Sequence, residues 1–127
     1  MLNELPLVSV IIPAYDNAPF IKFALESLFQ QTYPQEKIEI IVIDDGSTDN
    51  TNEILNEYRK KIIYVHQENK GVASARNRGM SLAKGEVIIF LDADDMWHEE
   101  KIQKVIDKFR DKQNIGMVYH PIELIDT

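Results

Sequence analysis

The chain contains no cysteine, so neither disulfides nor thiolate metal centres can hold it together. Histidine is scarce: His66, His98 and His120 show no ligand spacing, which argues against structural zinc. No apolar run is long enough to cross a bilayer. Met1 to Pro6 has neither a basic start nor a long apolar stretch, so no signal peptide is read and a cytoplasmic location is expected. Positive charge is also short. Fourteen Lys and Arg face 21 Asp and Glu, a formal net charge of −7, and no basic cluster could track a phosphate backbone, which argues against nucleic acid as partner. An acidic chain that took an anionic ligand would need local help from a metal or a well-placed arginine.

At 127 residues, 44% of them hydrophobic, the chain can bury a core as one domain, 1–127. Val8 to Ile12 is a near-continuous apolar run ended by Pro13, and Ile38 to Ile43 is a second; both read as buried strands. Ile62 to Val65, the run at Val87 and a short piece at Gly116 to Tyr119 read as further strands. Between them the apolar residues recur at helical spacing. Phe20, Ile21, Ala24, Leu25, Leu28 and Phe29 form one set, with Asn17 and Pro19 as start signals and Tyr33-Pro34 as a stop. Ile54, Leu55 and Tyr58 form the next, with Asn50 and Glu53 in capping-box spacing. A small-residue helix opens at Gly71 and runs through Ala83, with Gly85 as its C-terminal cap. Ile102, Val105, Ile106 and Phe109 mark the last, with His98-Glu99-Glu100 at its start. Strand and helix alternate, so the class is α/β with a mostly parallel sheet.

The run Phe90-Leu91-Asp92-Ala93-Asp94-Asp95 carries the most information. A buried strand cannot continue into three carboxylates, because unpaired buried charge is too costly. The acids belong at the strand's carboxyl end, where open α/β sheets bind ligands, and a hard divalent cation is the usual remedy for crowded carboxylates. The loops after the other strands gather at the same edge: Pro13-Ala14-Tyr15-Asp16, Asp44-Asp45-Gly46-Ser47-Thr48-Asp49 and Gln67-Glu68-Asn69-Lys70-Gly71. An aromatic ring, carboxylates for base and ribose donors, and a cation for a diphosphate together suit a nucleotide. Taken singly, each feature also has a plain structural reading. Tyr15 is a rim aromatic, Asp44-Asp45-Gly46-Ser47 a turn with a helix cap, Asp49 a local cap, Arg76 a solvated cation on a closely packed helix, and Trp97 an anchor for the acidic loop.

In combination these segments resemble the family 2 glycosyltransferases of the GT-A fold. The resemblance rests on Val8 to Tyr15, Ile43-Asp44-Asp45-Gly46-Ser47-Thr48-Asp49, Asn69-Lys70-Gly71 with Ala75-Arg76-Asn77-Arg78-Gly79, and Leu91-Asp92-Ala93-Asp94-Asp95, in the family's order across nearly the whole chain. It implies a Rossmann-like α/β/α sandwich with a mostly parallel sheet, truncated before the acceptor half. It further implies a nucleotide-sugar donor, most often a uridine diphosphate sugar, held with Mn²⁺ or Mg²⁺ for inverting transfer to a saccharide, lipid-linked or protein acceptor. Carried over by position, Pro13, Ala14 and Tyr15 would flank the base, with Asp16 at the pocket edge. Asp45 would accept from the uracil N–H, and Asp44 would shape the turn or assist in binding the nucleotide. Arg76 would lie near base or phosphates, Asp92 would face ribose and metal shell, and Asp94 would bind the cation.

The family's catalytic base is a carboxylate in the second half of the domain, so it is expected beyond Thr127, in a longer parent working in the cytoplasm or at the inner membrane face. The later Gln-x-x-Arg-Trp pattern of some members is absent, and Glu99 stands where many relatives have proline. A non-catalytic nucleotide-sugar-binding module is the alternative. A receiver-type signalling domain fits in length but would carry its acidic pair after the first strand. A haloacid-dehalogenase-type phosphatase needs Thr or Val shortly after its Asp-x-Asp, and neither Met96 nor Trp97 is one; no glycine-rich dinucleotide or P-loop pattern occurs either.

Overall fold

A computed structural model of the chain describes residues 5–111. In order these form β1 (Val8–Ala14), α1 (Ile21–Phe29), a 3-10 turn (Gln35–Lys37), β2 (Ile38–Asp44), α2 (Thr51–Asn56), β3 (Ile63–His66), α3 (Val72–Leu82), β4 (Val87–Phe90) and α4 (Lys101–Asp111). The expected strand at Gly116 to Tyr119, and His120, lie outside the described residues. All neighbouring strands pair in parallel, in the order β3-β2-β1-β4.

That order dictates the layers. The chain steps from β1 to β2 to β3 in one direction and returns past β1 to β4. Right-handed crossovers then place α1 and α2 on one face and α3 on the other. Two apolar clusters follow suit. Val8, Val10, Ile12 and Ala14 of β1 pack with Ile21, Leu25 and Leu28 of α1, Leu55 of α2, and Ile102 and Ile106 of α4. Ile11, Ile41 and Ile43 turn the opposite way onto Ala75 of α3. Successive residues of a strand point to opposite faces, so a central strand covered on both sides must be apolar throughout, as β1 is. The result is a three-layer α/β/α sandwich. Helix α3 covers β1 and β2, while Ile88 and Phe90 of β4 remain exposed.

Several local expectations change. The structure extends β1 through Pro13 to Ala14, pairing them with Ile43 and Asp44. Proline is tolerated because Pro13 shares the parity of Ile11, whose carbonyl accepts the Leu91 N–H from the β4 side. Pairing with β4 stops at Ile11–Phe90, so the missing N–H of Pro13 faces no partner strand. Phe20 is the residue before α1 and is half exposed, not part of its inner face. Tyr33 lies beyond the end of α1, fully buried, its hydroxyl donating to the Pro6 carbonyl. Asn50 precedes α2 but makes no side-chain cap; Asp49 does, accepting from the Thr51 N–H at 2.9 Å. Helix α4 begins at Lys101, one turn later than His98-Glu99-Glu100 suggested. Helix α3 ends at Ala83 in extended conformation, not in a glycine cap.

Gly85 serves instead at a close approach: a Cβ there would stand 2.6 Å from the Ser9 backbone nitrogen. The Gly85 N–H donates to Ser9 Oγ, which in turn donates to Glu39 Oε1. Gly79 plays the same part between α3 and β1, where an added Cβ would meet Ile11 Cγ2 at 2.4 Å. Ile11 is wholly buried and cannot swing aside. Gly79→Ala is therefore expected to destabilise the fold by about 1–3 kcal/mol, the usual cost of overpacking, despite alanine's better helix propensity. Urea unfolding of the two proteins measures this. An unchanged or raised midpoint would mean that α3 can shift off the sheet.

Candidate functional site

Because every strand is parallel, Ala14, Asp44, His66 and Phe90 all end at one edge, and the four loops meet there. The ladder carries on a little past the strand ends. The Asp45 N–H donates to the Ala14 carbonyl at 2.8 Å, and the Gln67 N–H to the Asp44 carbonyl at 2.9 Å.

Asp44 is fully buried. Its Oδ1 accepts the Ser47 N–H at 2.9 Å; its Oδ2 accepts the Tyr64 hydroxyl at 2.8 Å and lies 3.2 Å from His66 Nδ1. Burial pushes this carboxyl up, but the bonds from Ser47, Tyr64 and His66 outweigh it and hold the group below the ordinary value. The Tyr64 hydroxyl also lies 2.7 Å from Asn52 Oδ1, and its own pKa is raised by burial and by Asp44. Asp44 thus holds the turn from within, and its environment leaves no oxygen facing solvent.

Asp45 fastens the next loop. Oδ1 accepts from Gln67 Nε2 at 2.8 Å and from the Lys70 N–H at 2.9 Å, while Oδ2 accepts the Gly71 N–H at 2.9 Å. Only 4% of the residue is exposed. A carboxylate oxygen takes two donors, so Oδ2 keeps one lone pair free. Gly46 sits at φ +79°, where a side chain would be strained, and a Cβ would lie 2.8 Å from the Asn69 backbone nitrogen. The second loop therefore lies directly against the third.

Asp16 adopts φ +51°, which costs a non-glycine residue roughly 1 kcal/mol or more. The compensation is dense. Asp16 Oδ1 accepts the Thr48 N–H and the Asp49 N–H at 3.2 Å, and the Asp16 N–H donates to Ser47 Oγ at 3.0 Å. Beside it Tyr15 is 46% exposed, whereas Pro13 and Ala14 are buried within β1.

The acidic loop keeps the strand's alternation. Leu91 and Ala93 point into the core, so Asp92 and Asp94 both face outward, with Asp95 after them. One oxygen from each of the three lies within 4.8 Å of the others. Burial, then repulsion from Asp94 and Asp92, pushes the Asp95 carboxyl up. Trp97 packs against the core, as its anchoring role requires. Arg76 Nη2 reaches Asp92 Oδ1 at 3.4 Å, and its guanidinium stands 5.8 Å from the Phe90 ring centre. Among the described residues its buried Nε has no hydrogen-bond partner. The set of outward, mutually repelling oxygen donors fits a hard divalent cation.

The structure brings Asp16 to the second loop, Asp45 to the third and Arg76 to Asp92. The sequence reading missed Ser47, Thr48, Thr51, Tyr64 and Gln67 as their supports. The parity of Asp44 opposite His66 was the one signal that could have placed the β3 residues beside Asp44.

Comparison with protein-family models matches residues 9–123 to glycosyl transferase family 2. The chain belongs to that family. An uncharacterized glycosyltransferase of Nostoc sp. is 37% identical over 123 residues, covering 94% of this chain and 37% of the relative. The putative teichuronic acid biosynthesis glycosyltransferase TuaG of Bacillus subtilis is 39% identical over 112 residues, covering 84% and 43%. Among solved structures, S. aureus TarS 1-349 in complex with UDP-GlcNAc superposes with a TM-score of 0.76 at 32% identity, over 82% of this chain and 31% of that one. Mannosyltransferase PcManGT from Pyrobaculum calidifontis, in complex with GDP-Man and Mn2+, gives 0.78 at 31% identity, over 82% and 32%. The family 2 domain described here has their GT-A-like fold and spans well under half the length of these relatives. Among its described residues no helix is long and apolar enough to cross a membrane.

Proposed function

We propose that this chain is the donor-binding part of an inverting glycosyltransferase that takes a nucleoside diphosphate sugar, with uridine as its base, together with Mn²⁺ or Mg²⁺. The observation that carries this reading is the outward Asp92, Asp94 and Asp95 set beside Arg76, at the edge where the other three loops converge. Tyr15, with Pro13 and Ala14 behind it, supplies the wall for the base. The free lone pair on Asp45 Oδ2 suits a ring N–H. Asp92 and Asp94 hold the cation, with Asp92 also close to the ribose, and Arg76 turns from Asp92 towards the diphosphate.

A bound divalent ion stabilises, as a Lewis acid, the charge that builds on a departing diphosphate. The residues here bind and orient the donor, and the exposed carboxylates keep their acceptor oxygens ready for the ion. Inversion needs a base to deprotonate the acceptor hydroxyl. We place that base, and the contacts to a saccharide, lipid-linked or protein acceptor, outside these 127 residues. The chain alone is expected to bind donor and not to transfer sugar.

Calorimetric titration with uridine, guanosine and adenosine diphosphates, each with and without Mn²⁺, tests the proposal. Metal-dependent binding that favours uridine is the expected result. A folded sample that binds none of the three overturns it, and a preference for guanosine overturns the choice of base.

A further inference from the structure

The first two loops are joined by a two-way set of hydrogen bonds that the donor-binding reading does not use. Four successive backbone N–H groups in the first loop each find a side-chain acceptor. Tyr15 donates to Asn17 Oδ1 at 2.8 Å, Asp16 to Ser47 Oγ at 3.0 Å, Asn17 to Thr51 Oγ1 at 3.1 Å, and Ala18 to Asp49 Oδ2 at 3.2 Å. In the other direction the Asp16 carboxylate accepts the Thr48 and Asp49 N–H groups and the Thr48 hydroxyl. Each aspartate therefore holds the backbone of the other's loop. Burial pushes the Asp49 carboxyl up, but bonds from the Thr51 hydroxyl, the Thr51 N–H and the Ala18 N–H outweigh it and hold the group below the ordinary value.

Tyr15 sits inside this arrangement without direct support. Among the described residues its ring has no hydrogen bond or ring contact, and nearly half of it is exposed. On one side Ala14 is fixed in β1; on the other Asp16 turns the chain at φ +51°. The direction of the ring is set by those two backbone positions. We infer that Asp16 and Asp49 are positioning residues: their reciprocal clasp between the β1–α1 and β2–α2 loops presents the Tyr15 ring to the nucleotide base, and neither carboxylate contacts the ligand. The inference rests on the donor-binding reading for the ligand, while the clasp itself is a property of the free protein.

The test has two arms, both on the 127-residue chain. In the first, amide hydrogen exchange is followed without ligand. Tyr15 to Ala18 and Thr48-Asp49 are protected together in the wild type, and Asp16→Ala or Asp49→Ala exposes both stretches at once. Exchange that stays unchanged, or rises in one loop only, overturns the clasp. In the second arm, uridine diphosphate affinity is measured for Asp16→Ala, Asp16→Asn, Tyr15→Ala and the double variant Tyr15→Ala/Asp16→Ala. Asp16→Ala should weaken binding about fivefold, within the coupling range of residues in one network. Asn, which accepts the same N–H groups and tolerates positive φ, should restore most of it. In the Tyr15→Ala background the loss should vanish. A loss that persists there means Asp16 acts on the ligand or the fold by another route, and the inference fails. If Asp16→Ala does not fold, Asp49→Ala in the same cycle gives the same readings. If the wild type binds no nucleotide, the presentation of Tyr15 to a base fails with the donor reading, and the exchange arm still judges the clasp.

Discussion

Asp44→Ala will unfold at a much lower temperature than the wild type, with a loss of about 3 kcal/mol. The substitution removes a wholly buried carboxylate and leaves the Ser47 N–H without its acceptor, while the Tyr64 hydroxyl falls back on Asn52 and the exposed His66 ring turns to water. A hydrogen bond to a charged group is worth about 1.5–3 kcal/mol, and those from Ser47 and Tyr64 go with the carboxylate. In a domain of this size that shifts the thermal midpoint by more than about 10 °C. Asp44→Asn keeps an oxygen for Ser47 and should lose roughly 1 kcal/mol, less than half as much. The same carboxylate makes stability pH-dependent, with a definite sign. Its folded pKa lies below the unfolded value, as do those of Asp45 and Asp49. Their stabilisation is complete above the ordinary carboxylate range and disappears as pH falls through the folded values. Thermal midpoints should therefore drop below about pH 4, and the drop should be shallower in Asp44→Ala. A midpoint within a degree or two of wild type would show that the turn does not depend on Asp44.

Asp94→Ala will behave in the opposite manner. The residue is exposed, no hydrogen bond holds its side chain among the described residues, and it adds to the repulsion on Asp95. Its loss should leave metal-free stability unchanged or slightly raised, since surface substitutions stay within about 0.5 kcal/mol. Nucleotide binding should suffer instead. If Mn²⁺ strengthens uridine diphosphate binding of the wild type by about tenfold or more, that is 1.4 kcal/mol or more of linkage, and the variant should lose nearly all of it. Residual binding would be the same with and without metal. A metal effect that survives the substitution would place the cation elsewhere. Asp44 closes β2 and Asp94 follows β4, and burial separates them: the first is held by the fold, and the second is expected to serve the ligand.

The sequence made that separation partly legible. Continuous apolar runs at Val8 and Ile38 read as strands covered on both faces, whereas β4 leaves Ile88 and Phe90 exposed. The rule that a strand-end carboxylate must face outward holds for Asp92 and Asp94 and fails for Asp44, which is buried with its bonds satisfied. The alternation Leu91, Asp92, Ala93, Asp94 is legible as in, out, in, out from residue type alone. What could not be read were bonds between residues far apart in the chain. Asn17 finds Thr51 34 positions later, and Asp45 reaches Gly71 across 26. Local patterns misled where tertiary contacts overrode them. Asn50 and Glu53 have capping-box spacing, but Asp49 holds the start of α2. Gly85 resembled a helix cap because a glycine often ends a helix, while its lack of a Cβ is used against Ser9. Pro13 reads as the end of a strand because proline removes a ladder donor, yet on that side β1 has no partner strand beyond Ile11.

The way β1 overshoots β4 has a consequence for the shape of the binding edge. Pairing stops at Ile11 opposite Phe90, and β1 continues to Ala14. Three further residues at about 3.3 Å each make a ledge roughly 10 Å deep along the side of β1. The chain leaving Leu91 could fill that ledge by zipping onward along β1, but at Pro13 it would meet a position with no donor to offer. Proline there acts as a stop: with no N–H at Pro13 the ladder cannot carry the chain past Leu91 along β1, and the acidic loop leaves the sheet just beyond the last pair.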